Sequence, residues 1–273
     1  MSNRFLMCRP QYFDVSYIIN PWMVDNVHRV SRTQACSQWN RLLRLMEDEA
    51  DVELIEPEPN LPDMPFTANA GLVVGNTVLL SSFRHAERQT EERHFERWFR
   101  EHGFTVHKLP REIPFEGAGD ALLDRARRCI WMGYGHRSER AAGAEIEKLF
   151  GLEVIPLELA DARFYHLDTC FCPLPGGRVM YYPAAFSATS QALLKDRVAA
   201  QDAIAVDEED AVKFACNAVS MGDKVILNSV SEALRKQLAQ TGLQAAQAPL
   251  SEFLRAGGAS KCLTLRLEDP VFS

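Results

Sequence analysis

The 273-residue sequence predicts an α/β fold in which similar modules are arranged around one axis. Paired apolar runs flank short turns near positions 75, 126, 176 and 222, so that successive turns lie 51, 50 and 46 residues apart. A helical segment and one further short strand follow each of these hairpins. The sequence therefore predicts a repeating unit of one hairpin, one helix and one strand.

The hairpins are predicted from apolar runs that flank turn-forming residues. Their strands are expected at 72–74 with 77–80, 121–123 with 129–132, 169–174 with 179–182, and 217–219 with 225–227. The helices are expected at 86–101, 138–150, 189–198 and 231–240, and the returning strands at 104–108, 153–156, 203–206 and 243–246.

The two chain ends are predicted to supply a fifth hairpin. Residues 4–8 form an apolar strand stopped by Pro10, and residues 263–267 alternate between apolar and polar side chains. An amphipathic helix is expected at 25–49 and a strand at 52–55. Pairing of the ends would close the ring and remove exposed sheet edges. An open doubly wound sheet is disfavoured because no glycine-rich phosphate loop follows a first strand. We expect one domain, 1–273.

Composition and charge restrict the class of partner. The sequence is 47% hydrophobic and 25% charged, with a formal net charge of −7. This charge argues against nucleic acid and anionic membranes as partners, and it is compatible with a small cationic ligand. No apolar run is long enough for a membrane span or a secretory signal core, so we expect a cytoplasmic protein. Seven irregularly spaced cysteines indicate reduced thiols. A homo-oligomer is compatible with the sequence.

Polar residues precede the predicted hairpins, where the loops of such a ring would crowd the axis. They are Asp63 and Asn69 in the first repeat, Glu116 and Asp120 in the second, His166 and Asp168 in the third, and Cys262 after Gly258 in the closing unit. Equivalent positions of different modules are therefore expected to meet at one site.

Each of these residue types can carry chemistry, although each also has a structural alternative. Cys262 is expected where a glycine turn becomes a strand, which can hold a nucleophilic thiol or simply a small core residue. On a strand, His166 and Asp168 would point to the same face, as a proton shuttle beside a cation-binding carboxylate or as an ordinary polar pair. Glu116 can lie against a ligand or in an exposed turn.

A metal site is not expected. Cys170 and Cys172 share the strand parity of His166 and Asp168, but zinc normally requires a second compact pair of ligands, and none stands out. The other histidines considered are expected to be solvated, since they lie in charged helical or edge segments: His85, His94, His102 and His107.

Together these motifs resemble the guanidine-modifying superfamily, the penteins, which includes arginine deiminases, dimethylarginine dimethylaminohydrolases, arginine amidinotransferases and arginine dihydrolases. The motifs are Leu-Pro-Asp63 with Asn69, Phe-Glu116-Gly-Ala-Gly-Asp120, His166-Leu-Asp168 and Gly-Gly-Ala-Ser-Lys-Cys262. The resemblance covers nearly the whole chain in the right order. It implies a five-bladed α/β propeller with one central active site and no cofactor.

The resemblance also implies roles for these residues. Cys262 would attack the guanidinium carbon of an arginine-like substrate, and His166 would act as general acid and base. Glu116 and Asp168 would hold the guanidinium group. Arg88 and Arg137 match arginines that bind the substrate carboxylate, although Arg88 could equally be a surface helix residue. Asp63 and Phe66 would line the pocket.

Asn69 distinguishes between members of the superfamily. Deiminases and dimethylarginine hydrolases typically carry an aspartate here, whereas asparagine resembles the arginine dihydrolases, as does the loop 14–23 with Asn20. An amide can donate a hydrogen bond to a neutral ureido oxygen, which a carboxylate would repel. The resemblance therefore implies hydrolysis of arginine to ornithine. Hydrolysis that stops at citrulline, amidino transfer and a non-catalytic binding ring stay open as alternatives.

Overall fold

Five three-stranded sheets of one topology repeat along the chain in the computed structural model, which describes residues 3–267. The strands are β1 (Asn3–Cys8), β2 (Ala50–Ile55), β3 (Gly71–Val74), β4 (Thr77–Leu80), β5 (Thr105–Lys108), β6 (Ala121–Asp124), β7 (Cys129–Tyr134), β8 (Glu153–Glu158), β9 (Phe171–Leu174), β10 (Arg178–Tyr181), β11 (Ala203–Ala205), β12 (Val219–Met221), β13 (Lys224–Leu227), β14 (Gln244–Gln247) and β15 (Leu265–Arg266). The predicted domain, 1–273, extends past this range, since residues 1, 2 and 268–273 lie outside the described residues.

The helices connect the second and third strands of each module. They are α1 (Arg32–Glu47), α2 (Ala86–Gln89), α3 (Glu91–Glu101), α4 (Ala142–Phe150), α5 (Ala188–Arg197), α6 (Glu208–Ala211), α7 (Glu232–Gln240) and α8 (Ser251–Leu254), of which α6 and α8 lie in the connections between modules. Within residues 3–267, each helix is too short or too polar to cross a bilayer.

Each module places its central strand between an antiparallel and a parallel neighbour. In the first, β4 pairs antiparallel with β3 and parallel with β5. The sheets β6-β7-β8, β9-β10-β11 and β14-β13-β12 repeat this arrangement. The predicted order of hairpin, helix and returning strand is thereby confirmed in four modules.

The chain ends form the fifth module, as predicted. Strand β1 pairs antiparallel with β15, with Leu6 opposite Leu265, and parallel with β2. The closing strand is shorter than the predicted 263–267. The helix predicted at 25–49 begins only at Arg32, because the Ser31 hydroxyl accepts a hydrogen bond from the backbone N–H of Gln34 and caps it there.

Inner strands of all five sheets enclose a central cavity of about 440 Å³. It is lined by Leu72, Leu122, Phe171, Val219 and Leu265, one residue from each sheet. The sheets therefore surround a common axis, and the predicted five-bladed α/β propeller is confirmed.

Short 3-10 helical turns precede three of the hairpins, at Thr67–Ala70, Gly117–Gly119 and Leu167–Thr169. The predicted strand position of His166 and Asp168 is therefore wrong, since β9 begins only at Phe171. The Thr169 hydroxyl donates to the His166 carbonyl at 2.7 Å, and such local bonds replace the bonds of a strand ladder.

Two helical predictions also differ from the structure. The segment 86–101 is divided at Thr90 into α2 and α3, and His94 of α3 is buried where a solvated side chain was predicted. Helix α4 begins at Ala142 and leaves Ser138 outside it, where its hydroxyl bonds to Asp120. Because its neighbours in sequence are charged, the position of His94 on the apolar face of α3 could not be read from the sequence.

Replacement of Leu265 by alanine tests how much the ring closure stabilises the fold. Leu265 is buried beside Leu6 in the sheet that joins both chain ends. We expect a loss of about 2–5 kcal/mol in the free energy of unfolding, because a cavity replaces buried methyl groups. Urea unfolding measures this loss. Exposed Ile18→Ala is the control and should change the stability by less than about 0.5 kcal/mol. Equal losses in both variants would contradict the role of the closing strand.

Candidate active site

The predicted site residues converge at the end of the ring where the helical turns precede the hairpins. All of them are buried: Asn20, Asp63, Phe66, Asn69, Arg88, Glu116, Arg137, His166, Asp168 and Cys262. Seven of them line a small cavity: Asn20, Asp63, Phe66, Asn69, Arg88, Arg137 and Cys262. Its volume, about 10 Å³, is room for roughly one water molecule, so a larger ligand requires the surrounding side chains to move.

Two glycines allow the chain to bring Cys262 into this cluster. Gly257 adopts a φ of +80°, which favours glycine. A Cβ atom on Gly258 would lie 2.5 Å from the ring of Phe66 and 3.2 Å from Cβ of Cys262. Cys262 lies in a turn, three residues before β15, and not at the predicted junction of loop and strand.

The Cys262 sulfur lies between a carboxylate and an amide. Its thiol donates to Oδ2 of Asp168 at 3.4 Å, and Nδ2 of Asn217 donates to the sulfur at 3.0 Å. Burial raises the pKa of Cys262 well above its ordinary value, and the charge of Asp168 raises it further. The surroundings of Cys262 therefore favour the neutral thiol over the thiolate.

Glu116 joins the histidine to an arginine. Its Oε2 lies 2.7 Å from Nε2 of His166 and 3.0 Å from Nη1 of Arg137. Burial alone would raise the pKa of Glu116, but Arg137 and His166 outweigh it and hold that pKa below its usual range. An ionised Glu116 accepts from Nε2–H of His166. Nδ1 of His166, which has no partner among the described residues, is then free to accept a proton.

Arg88 is buried, so the surface alternative for this residue is wrong. Its Nε and Nη2 donate to the carboxylate of Glu91 at 2.9 and 2.8 Å, while Nη1 donates to Oδ1 of Asn69 at 2.8 Å. Because Oδ1 of Asn69 is bound by Arg88, its Nδ2 faces the other way. A Cβ on Gly119 would lie 2.2 Å from this Nδ2 and 3.3 Å from Nδ1 of His166, so both nitrogens face Gly119, and Nδ2 donates to the Glu116 carbonyl at 3.5 Å.

Two buried carboxylate oxygens, Oδ1 of Asp63 and Oδ1 of Asp168, have no hydrogen-bond partner among the described residues. Tyr17 donates to the other oxygen of Asp63 at 2.8 Å. Burial raises the pKa of Asp63 and raises that of Asp168 to about 6, against the opposing charges of Arg88 and Lys261, respectively. These oxygens are acceptors suited to the N–H groups of a cation.

The amino-terminal loop forms part of the site wall. Arg137 donates from Nη2 to the Ile19 carbonyl at 2.9 Å, and its guanidinium group lies 4.6 Å from the ring centre of Tyr165. Asn20 donates to the Ala256 carbonyl at 3.0 Å and accepts from the backbone N–H of Trp22. The loop is therefore anchored to both the second and the closing module.

Several residues of the cluster were missed by the sequence analysis. They are Tyr17, Glu91, Ser138 and Asn217. Asn217 had a readable signal, because it precedes β12 by two residues, as Asn69 precedes β3. Glu91 follows Arg88 by three residues on adjoining helical turns, a spacing that brings opposite charges together. Tyr17 and Ser138 lie in irregular segments, where no periodicity marks them. Within residues 3–267, no group of three or more His, Cys, Asp or Glu side chains could hold a metal ion.

The sequence of this chain matches a known protein family. The model of the family described as N,N dimethylarginine dimethylhydrolase, eukaryotic, matches residues 17–268. The chain belongs to this family, within the pentein superfamily. The family member N(G),N(G)-dimethylarginine dimethylaminohydrolase of Mycobacterium tuberculosis is 39% identical over 97% of the chain and 86% of its own length.

Higher identity is found with a cyanobacterial group. The bifunctional arginine dihydrolase/ornithine cyclodeaminase AgrE of Nostoc sp. is 53% identical over 98% of the chain, and the chain spans only 38% of the length of AgrE. The N-terminal domain of the cyanobacterial arginine dihydrolase ArgZ, solved bound to substrate, has a TM-score of 0.98 at 52% identity and covers 99% of this chain and 100% of its own. The same domain in a variant form was solved covalently bound to a reaction intermediate.

Asp168→Asn tests the electrostatics of the sulfur environment. The folded protein retains the Asp168 proton up to about pH 6, against a value of 3.8 for an ordinary aspartate, so ionisation of Asp168 destabilises the folded state as the pH rises between these values. At about 1.4 kcal/mol for each pH unit, the cost is about 3 kcal/mol. We expect Asp168→Asn to match the wild type at pH 4 and to exceed it in stability by this order at pH 7.

Urea unfolding at the two pH values measures the difference. Asp25→Asn, on the surface, controls for the loss of one formal charge. A stability difference between Asp168→Asn and wild type that is the same at both pH values would contradict the raised pKa.

Proposed function

We propose that this chain hydrolyses the guanidinium group of L-arginine through a covalent intermediate on Cys262 and yields L-ornithine, ammonia and carbon dioxide. The observation that carries this proposal is the arrangement of Asn69, whose oxygen is held by Arg88 and whose amide nitrogen faces Gly119, as does Nδ1 of His166. The identity of 53% to a bifunctional arginine dihydrolase supports it.

The site is suited to a planar cation. Oδ1 of Asp63 and Oδ1 of Asp168 are buried acceptors without partners, and Oδ2 of Asp168 lies 3.4 Å from the sulfur. A guanidinium group held by Asp168 would therefore place its carbon next to Sγ of Cys262. Arg137 and Asn20 line the loop side of the cavity, where they would bind the carboxylate of the same substrate.

The first half of the reaction uses the thiol and the histidine. A bound guanidinium charge would lower the raised pKa of Cys262, and the thiolate would attack the guanidinium carbon. His166, protonated at Nδ1 and oriented by Glu116, would donate a proton to the departing ammonia. The resulting amidino-thioether is then hydrolysed by a water molecule that His166 deprotonates, which expels the thiolate and leaves citrulline.

Asn69 provides a physical reason for a second round of hydrolysis, in which citrulline is the substrate. The ureido group of citrulline is neutral and carries an oxygen, which an aspartate at this position would repel and the Nδ2 amide of Asn69 can bind. Attack at the ureido carbon would release the second ammonia, and hydrolysis and loss of carbon dioxide would leave ornithine. Arginine and two water molecules thus balance ornithine, two ammonia and one carbon dioxide.

Hydrolysis that stops at citrulline is the second candidate function. The matching family model, described by dimethylarginine hydrolysis, and the relative from Mycobacterium tuberculosis favour it. Against it, residue 69 is an asparagine and not an aspartate, and its amide nitrogen faces Gly119, as does Nδ1 of His166.

We further propose that residues 1–273 act as one catalytic domain in the cytoplasm. The net charge of −7 supports a small cationic substrate in preference to nucleic acid or an anionic membrane.

Incubation of the purified protein with L-arginine tests the proposal, with ornithine, citrulline and ammonia quantified over time. We expect ornithine with two ammonia per arginine. Cys262→Ser should abolish turnover, because a serine hydroxyl is a far weaker nucleophile than a thiolate. Citrulline as the sole product would favour the second candidate, and unchanged turnover by Cys262→Ser would refute the nucleophile.

Asn69→Asp tests the role of the amide. The carboxylate can still accept from Arg88, but it cannot donate to a ureido oxygen. We expect the ratio of ammonia to arginine consumed to fall from two towards one as citrulline accumulates. Asn228→Asp is a matched control, since Asn228 is also buried but joins the Lys213 and Leu250 backbones outside the site. An unchanged product ratio in Asn69→Asp would contradict this role.

A further inference from the structure

The side chain of Asn217 makes four hydrogen bonds in the wall of the candidate site. Its Oδ1 accepts from the backbone N–H groups of Ala259 and Cys262, each at 3.1 Å. Its Nδ2 donates to the Asp168 carbonyl and to Sγ of Cys262, each at 3.0 Å. A carboxamide has two N–H donors and two acceptor lone pairs, so its hydrogen-bonding capacity is filled.

These bonds join three modules at the sulfur. Asn217 precedes the hairpin of the fourth module, Asp168 belongs to the third, and Cys262 lies in the closing module. The Asn217 carbonyl also accepts from the backbone N–H of Lys261 at 3.2 Å. Three backbone N–H groups of the turn 259–262 therefore bond to one fully buried residue, which holds the turn in place.

We propose that Asn217 is a further catalytic residue, whose amide fixes the turn that carries Cys262 and donates a hydrogen bond to the sulfur when the sulfur is anionic. The part of this proposal that concerns attack on substrate rests on the function proposed above. The effect on the free thiol does not, because it requires no substrate.

The hydrogen bond from Asn217 favours the charged sulfur over the neutral one. In the protonated state, the thiol donates to Asp168 and accepts from Asn217. When the proton leaves, the contact with the Asp168 carboxylate becomes repulsive, whereas the amide N–H now bonds to a full negative charge and strengthens. In the thioether intermediate, the sulfur is again a weak acceptor. The amide would thus assist both the formation of the thiolate and its expulsion when water attacks.

The other groups near the sulfur are ionisable. Asp168 lies at 3.4 Å, and the Tyr165 phenol interacts electrostatically with the thiol. Lys261, in the same turn, acts on Asp168. Asn217 differs from them because it is neutral at every pH and offers the sulfur a donor.

Asn217→Asp separates the two tasks of the side chain. The carboxylate keeps an acceptor for the N–H groups of Ala259 and Cys262, but it removes the donor and adds negative charge beside the sulfur. We follow alkylation of Cys262 by iodoacetamide against pH without arginine, by mass spectrometry of the peptide that contains Cys262. The profile should move to higher pH by about one pH unit or more, so that the rate at pH 8 falls about tenfold or more. In the arginine assay, kcat should fall by a similar factor, with KM changed less than about threefold.

Asn228→Asp is the matched control. It makes the same amide-to-carboxylate change at a buried residue that bonds the Lys213 carbonyl at 2.8 Å and the Leu250 N–H at 2.7 Å, outside the site. Its alkylation profile and kcat should stay within about threefold of wild type, even where urea unfolding shows a loss of stability.

The outcomes decide between the roles. A folded Asn217→Asp protein with wild-type alkylation and wild-type kcat would overturn the proposal. If circular dichroism shows that this variant is unfolded, Asn217→Ser is used, which is neutral and too short to reach the sulfur. It should shift the alkylation profile in the same direction by a smaller amount, because it removes the donor without adding a negative charge, and an unshifted profile refutes the proposal. A shifted profile in a protein whose wild type leaves arginine unconsumed would support Asn217 while refuting the proposed function.

Discussion

The buried ion pair of Glu116 with Arg137 is the interaction on which the rest of the site depends. Two buried charges are costly unless each is paired and hydrogen-bonded. Glu116 meets this requirement through Arg137 and His166 at Oε2 and through the Arg84 backbone N–H, which donates to Oε1 at 3.3 Å. Because Glu116 stays ionised, it fixes which nitrogen of His166 carries the proton. The same ion pair extends to the Ile19 carbonyl and so determines where the amino-terminal loop lies.

The propeller explains why so many charged residues can be buried together. In each module, the chain reaches the axis at a short turn. The residues of that turn are buried because the neighbouring modules pack against them. Glu116 and His166 occupy the same position in successive modules, directly before a 3-10 turn. Each is therefore held by its own hairpin, and the 2.7 Å contact between them is a contact between modules. Catalytic geometry in such a ring depends on packing between modules, which Leu265 and the other core residues secure.

The repeat made most of the fold predictable from sequence, and it also marked the positions from which site residues would come. Asp63, Asn69, Glu116, His166 and Asp168 precede hairpins, and all five are buried at the axis. Prediction failed where local hydrogen bonds override periodicity, as at His166 and Asp168, whose alternation indicated a strand that Thr169 replaces with a turn. It also failed for Tyr17 and Ser138, since a side chain in an irregular segment has no distinctive pattern of its own. Burial of Arg88 could not be read from its charged neighbours, because it follows from pairing with Glu91 in three dimensions.

Three groups of the site have raised pKa values, which favour their neutral forms. A guanidinium cation would change the protonation of several of them together. Burial raises the pKa values of Cys262, Asp63 and Asp168, and each of these groups gains a reason to ionise when a positive charge arrives beside it. By linkage, each proton released on binding makes affinity for the cation rise with pH over the interval in which the group titrates. A neutral ureido group brings no such charge. In the proposed reaction, the second round of hydrolysis would therefore depend more on fixed donors to the substrate and to the sulfur, a task for which we propose the amides of Asn69 and Asn217.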